Sequence, residues 1–239
     1  LANLDAFIAA TIAIANLTFV IGGLSHVSST QTAYKFTATS GTKTPLGGLV
    51  QVVPTSITAL GGSATVTVSG LVTMALVTTA GVVINGCFTS TFDNYLVLID
   101  VNGASTSNLI NLQLRGGGTA AAATHDIQGS YAWGTTIASV GALAGASWPV
   151  SGTLTATGTT HSAEVKLFGP YLAVPTRGIV QSVATPTTMS TAVTGGSIHN
   201  KALLHRTSTF YDGFAILPSA GTINGTIRIY GYNNNNGGI

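Results

Sequence analysis

The segment "NYLVLIDV" (94–101) alternates along its length. Tyr95, Val97, Ile99 and Val101 fall on one side of an extended chain; Asn94, Leu96, Leu98 and Asp100 fall on the other. Successive strand side chains point to opposite faces. Both sets are largely apolar, which predicts a central strand covered on both sides. After the turn "NGAS", "NLINLQLRGG" sets Ile110, Leu112 and Leu114 against Leu109, Asn111, Gln113 and Arg115, predicting a hairpin partner for 94–101. Upstream, "SATVTVSG" alternates Val66 and Val68 with Thr65 and Thr67, and Pro54 ends an apolar run. Downstream, "HSAEVKLFG", "TFYDGFAILP" and "GTIRIYGYN" are three further strand candidates.

Elsewhere the alternation lapses. Residues 116–160 carry both tryptophans without a sustained period, which predicts long surface loops, where binding residues concentrate. Residues 175–209 form a Thr/Ser-rich stretch holding His199, His205 and Arg206. Residues 24–48 are polar and predict a linker with one short strand near Ala33–Ala38. The first 23 residues are apolar enough to raise the question of a bilayer span. Asp5, Asn16 and Thr18 interrupt them and no Lys or Arg flanks them, so the expectation is an arm facing neighbouring subunits, either helix or strand. Frequent β-branched residues, glycines and closely spaced turn signals predict an all-β sandwich or barrel.

Composition sharpens this picture. Only 6% of the 239 residues are charged against 45% hydrophobic, whereas an ordinary domain carries about 25% charged residues. Thr, Ser, Asn and Gly must then supply solubility, which suits a chain that buries much of its surface against neighbours. A net charge of +2 without a basic run excludes the usual nucleic-acid footprint. The lone Cys87 precludes an intrachain disulfide and predicts a small buried hydrophobe.

Catalytic signatures are sparse. The acidic residues are Asp5, Asp93, Asp100, Asp126, Glu164 and Asp212. Asp93 and Asp100 differ by an odd offset in one strand, so they cannot form the close carboxylate pair of a glycosidase. Asp93 in "TFDNY" and Asp212 in "FYDGF" predict turn caps, which would form a cation site only if the two turns met. The five histidines show no zinc spacing; His199 and His205 would lie about 20 Å apart on one strand face, and would meet only if 199–209 formed a loop. No G-x-S-x-G or phosphate loop occurs. No catalytic, cofactor or metal residue is therefore expected. Tyr131, Trp133, Trp148 and Tyr171 remain as candidates for stacking on sugar rings, or as anchors of loops and interfaces.

The ordered segments "GLVQVVPTSIT", "VVINGCFTSTFDNYLVLIDVNGAS", "NLQLRGGGT" and "GTIRIYGYN" resemble a module of bacteriophage structural proteins. These are minor tail proteins and tail fibres, especially of actinobacterial phages. The resemblance spans roughly residues 48–235, with "FTSTFDNY" and "GTIRIYGY" as its most specific parts. It implies a jelly-roll-like β-sandwich, often trimeric, in a virion. The expected organisation is an N-terminal apolar arm and linker (1–47), a β-rich connecting segment (48–82) and the sandwich (83–239). The expected function is non-enzymatic: a tail or fibre component for host attachment. Its partners would be copies of itself as a homotrimer, other virion proteins and a host-surface glycan, with neither nucleic acid nor a membrane span. The alternatives are a capsid or head-decoration protein, and a wall-polysaccharide depolymerase with an inter-subunit site.

Overall fold

The computed structural model describes residues 25–27, 32–36, 43–45, 48–133, 136–152, 159–186 and 197–233. The expected N-terminal arm, residues 1–23, lies outside these. Among the described residues there is no helix, so none is long and apolar enough to cross a membrane. The chain divides into two units, 1–50 with 232–239, and Gln51–Gly231. In the first, β1 (Ser25–Val27), β2 (Thr32–Phe36) and β3 (Lys43–Pro45) form a small antiparallel sheet in that order. Strand β4 (Gly48–Gln51) follows.

The second unit is an antiparallel β-sandwich. Its strands are β5 (Ser56–Ala59), β6 (Ser63–Val66), β7 (Val72–Thr78), β8 (Val82–Asn85), β9 (Asn94–Ala104), β10 (Ile110–Gly116), β11 (Thr119–Ala120) and β12 (His125–Trp133). They continue with β13 (Thr136–Gly145), β14 (Trp148–Pro149), β15 (Thr159–Phe168), β16 (Pro175–Pro186), β17 (Ser197–Ser208), β18 (Gly213–Pro218) and β19 (Thr222–Asn233). The large sheet runs β13-β12-β17-β16-β15-β9-β19-β7-β6. The smaller sheet runs β11-β10-β18-β8-β5, with β14 also on β10.

Within this arrangement lies a jelly roll. Eight strands divide between the sheets as β7-β19-β9-β15 and β8-β18-β10-β14, the order of two interlocked Greek keys. The hairpin β12–β13 and the pair β16–β17 are added beyond β15 and widen the large sheet. The core fills as alternation requires: Tyr95, Val97, Ile99 and Val101 are buried, and they face Ile110, Leu112, Leu114, Phe214 and Ile216 of the smaller sheet. Cys87 is fully buried, as its lone occurrence suggested, and desolvation pushes its thiol far up.

Several expectations are corrected. The strand 94–101 is central, between β15 and β19, yet only one face is sealed; Leu96 is buried, Leu98 half-buried and Asp100 exposed on the other. The expected hairpin of 94–101 with 109–116 does not form. A jelly-roll connection carries the chain to the opposite sheet, so β10 pairs with β18 instead. The segment 116–160 contains strands β11 to β14, and the stretch 175–209 contains two strands of twelve residues each. The two units divide at 50/51, close to the expected 47/48, and β5 to β8 hydrogen-bond into the two sheets across the expected 82/83.

A bulge shapes the β12–β13 hairpin. Its register slips between His125 and Ile127, and Ala144 adopts φ 55°, a left-handed conformation costly for a residue with a Cβ. Asp126 Oδ1 accepts the Ala144 N–H at 2.8 Å, while its Oδ2 pairs with Arg206 at 3.0 Å. The carboxylate thus ties the bulge to the neighbouring β17.

Candidate functional site

On β16 and β17, polar and titratable side chains are buried while apolar ones stand outside. On β17 the buried side chains are His199, Lys201, Leu203 and His205, while Ile198 is 52% exposed. On β16 the buried set is Thr176, Gly178, Val180, Ser182 and Ala184, and Ile179 and Val183 are 47% and 43% exposed. A strand's period of two makes this a matter of facing: one residue's slip would reverse it. The β15–β16–β17 register fixes it, with Ala163 opposite Ser182 and Ser182 opposite His199.

Outside, these strands border a shallow hollow of about 480 Å³. Leu98, Val183 and Ile198 give it an apolar lining, and Asp100, Glu164 and Asn200 a polar one. Asp100 faces Ser162 across the β9–β15 pair, and Glu164 stands two residues further along β15. Such a diagonal pair is about 7–8 Å apart. Sequence reasoning missed this juxtaposition, since no local spacing links positions 64 residues apart. Both carboxylates are engaged: Ser162 Oγ donates to Asp100 Oδ1, and Lys166 Nζ meets Glu164 Oε1 at 2.8 Å.

Inside, Lys201 is the central charge. Its Nζ donates to the carbonyls of Pro149 at 2.8 Å and Ser151 at 2.7 Å. Burial lowers its pKa to about 8. The segment Trp148–Gly152 that receives it is fastened to the smaller sheet: Val150 N donates to Ile110 O, and Ile110 N to Ser151 Oγ. Lys201 therefore bridges the two sheets. His199 packs against the same segment so closely that a Cβ on Gly152 would stand 2.1 Å from its Nε2. Tyr131, its cross-strand neighbour, stacks on it at 5.5 Å.

The other histidines share this interior. His161 on β15 is 1% exposed. Burial, reinforced by Lys201, lowers both His161 and His199 to about 4. Among the described residues, both ring nitrogens of each lack a hydrogen-bond partner. His125 and His205 face each other at 4.4 Å between ring centroids, and burial likewise lowers His125 to about 4. His205 is held by Thr124 Oγ1 at 3.0 Å and by the Tyr211 hydroxyl at 3.2 Å. These are neutral bases at neutral pH, enclosed in the sandwich. Among the described residues no group of three or more His, Cys, Asp or Glu side chains could hold a metal ion.

The four candidate aromatics separate. Trp148 is fully buried, with its indole N–H donated to Asp126 O at 3.0 Å and its ring against His125. It is a core residue, and no face of it is open to a sugar. Tyr131 lies on strand β12, half-buried against His199, rather than in a loop. Tyr171 is half-buried in the β15–β16 connection beside the exposed Phe210. The Trp133 side chain lies outside the described residues. Asp212, expected to cap its own turn, instead accepts the distant Gly117 N–H at 3.1 Å on Oδ1, and its carbonyl accepts from Cys87 and Phe88. Compared with known proteins, the chain matches no protein-family model, no curated protein and no solved structure.

Proposed function

We propose that the chain is a non-enzymatic structural module of a bacteriophage virion, a tail or fibre component for host attachment. It would assemble with copies of itself, as a homotrimer, through the outer face of its large sheet. The observation that carries the assembly reading is the inverted facing of β16 and β17. Ile179, Val183 and Ile198 point outward while histidines and a lysine point inward. Apolar area left on a sheet face gains most when a second surface covers it. The charges near this face, Asp100 and Glu164 against Lys166 and Arg177, are of both signs and suit self-association. The virion and tail assignments rest on the sequence resemblance, supported by a surface poor in charge. Tyr171, half-buried beside the exposed Phe210, remains the residue through which such a module would meet a host glycan, since Tyr131 turns inward onto His199.

Two measurements test this reading. Sedimentation should give a mass of three chains, reduced to one by Ile198→Lys with an unchanged circular dichroism spectrum. Counting labelled copies on intact particles should give a few at the tail; hundreds over the head would replace this reading with a capsid or decoration role. The Asp100–Glu164 juxtaposition favours one other reading, a wall-polysaccharide depolymerase. Reducing ends released from host wall, and lost in Glu164→Gln, would establish it instead.

A further inference from the structure

Four of the five histidines of the chain, with Lys201, are buried within one half of the sandwich. Interiors hold such groups at a cost that grows sharply once they are charged. The geometry here makes the cost conditional on pH. His161 projects from β15, Ser182 from β16, His199, Lys201 and His205 from β17, and Tyr131 and His125 from β12. Facing them from the smaller sheet are Trp148, Val150 and Ser151, none of which titrates; Tyr211 touches His205. The carboxylates that act on the cluster do so from the outer face: Asp100 opposite Ser162, and Asp126 already paired with Arg206. Among the described residues no carboxylate pairs with Lys201.

We propose that the His161–His199–Lys201 cluster is an acid-sensitive latch. Proton uptake by its imidazoles loosens β16, β17 and β12 from the covering segment Trp148–Gly152, while the aliphatic half of the sandwich stays closed.

The reasoning is mechanical and electrostatic together. Lys201 fastens the large sheet to the Pro149 and Ser151 carbonyls, and His199 lies flush against Gly152. A new charge on His161 or His199 faces the existing ammonium in a poorly solvated space. Among the described residues, neither ring has a hydrogen-bond acceptor to take its second N–H. Opening this end to water removes both penalties at once. The sign follows from linkage. The folded-state pKa of His125, His161 and His199 is about 4, against an ordinary 6.5. Between those values the open or unfolded state binds more protons, so stability present above pH 6.5 falls as pH drops toward 4. Each histidine then contributes close to a tenfold rise in the opening constant per pH unit within that window.

The test uses the whole chain. Histidine-ring NMR should show His161 and His199 still neutral at pH 5.5. Urea unfolding near pH 5 should take up about two to three protons, and the His161→Gln/His199→Gln double variant about two fewer. Hydrogen exchange, corrected for intrinsic rates, should show β16 and β17 losing at least tenfold protection between pH 7 and pH 5 while β9 and β19 keep theirs. Folded-state imidazoles that titrate near 6.5 would overturn the latch. So would an unchanged proton uptake in the double variant, or loss of protection in β9 and β17 together. Should the double variant fail to fold, the ring titration and the exchange pattern of the natural sequence decide the matter alone.

Discussion

A single row of inward-facing side chains crosses the large sheet from one end to the other: Val72, Ile227, Ile99, Ala163, Ser182, His199 and Tyr131, each opposite the next. At the jelly-roll end it is aliphatic; at the added end it is small, then titratable. Both ends obey the strand period, and every member of the row is buried except the half-buried Tyr131. Their stability rests on different physics. The first end gains from area removed from water and is indifferent to pH. The second depends on a bridging ammonium, neutral imidazoles and an aromatic stack, so protons can weaken it. The comparison shows that burial of a strand face does not identify what holds it closed.

The largest expected effect probes the aliphatic end. Ile99→Ala should cost about 2–5 kcal/mol in urea unfolding, equally at pH 7.5 and pH 5. A loss that changes strongly with pH would erase the contrast between the ends. At the other end, Gly129→Ala places a Cβ 2.1 Å from the Asn200 carbonyl oxygen and 2.7 Å from Lys201 Cα. Overpacking against backbone should cost about 1–3 kcal/mol and separate β12 from β17, read out as lost amide protection confined to those strands.

Lys201→Met should cost a comparable or smaller amount, about 1–3 kcal/mol, since the Pro149 and Ser151 carbonyls lose their donor. It carries a sharper signature in alkali. The folded-state lysine sits near 8 against an ordinary 10.5, so the unfolded chain holds the extra proton between those values. Natural-sequence stability minus that of the methionine variant should therefore grow from pH 8 to 10.5, the opposing alkaline loss from the buried Cys87 thiol being common to both chains. Smallest of all, Ile198→Ser on the outer face should leave the stability of a single chain within about 0.5 kcal/mol. Its effect should appear only as a lower sedimenting mass, and unchanged mass would remove this face from the assembly.

Legibility in the sequence followed the same division. On β9 and β10 the apolar set is the buried set, so Tyr95 to Val101 and Ile110 to Leu114 were readable as core before any coordinates. On β17 hydrophobicity marks neither face. Ile198, Ala202 and Leu204 point outward with Asn200 and Arg206, while His199, Lys201 and His205 point inward with Leu203. On β16 the buried Ser182 and Ala184 are no more apolar than the outward Ile179 and Val183, so no alternation survives to mark the strand. Trp148 carries no strand signal in the sequence because its two-residue strand, β14, is too short to leave a period.

Composition and local alternation by themselves determined an all-β chain, its aliphatic core strands and a buried solitary cysteine. Those features depend on neighbours within a few residues, where a period of two is directly visible. Tertiary structure alone decided which strands share a sheet, that β9 and β10 part company, and that four histidines and Lys201 meet in the interior. It also brought Asp100 beside Glu164. The physical reason is that long-range pairing sets strand register, and register selects the face each side chain occupies. Where hydrophobicity does not favour one face over the other, only the partner strands can choose.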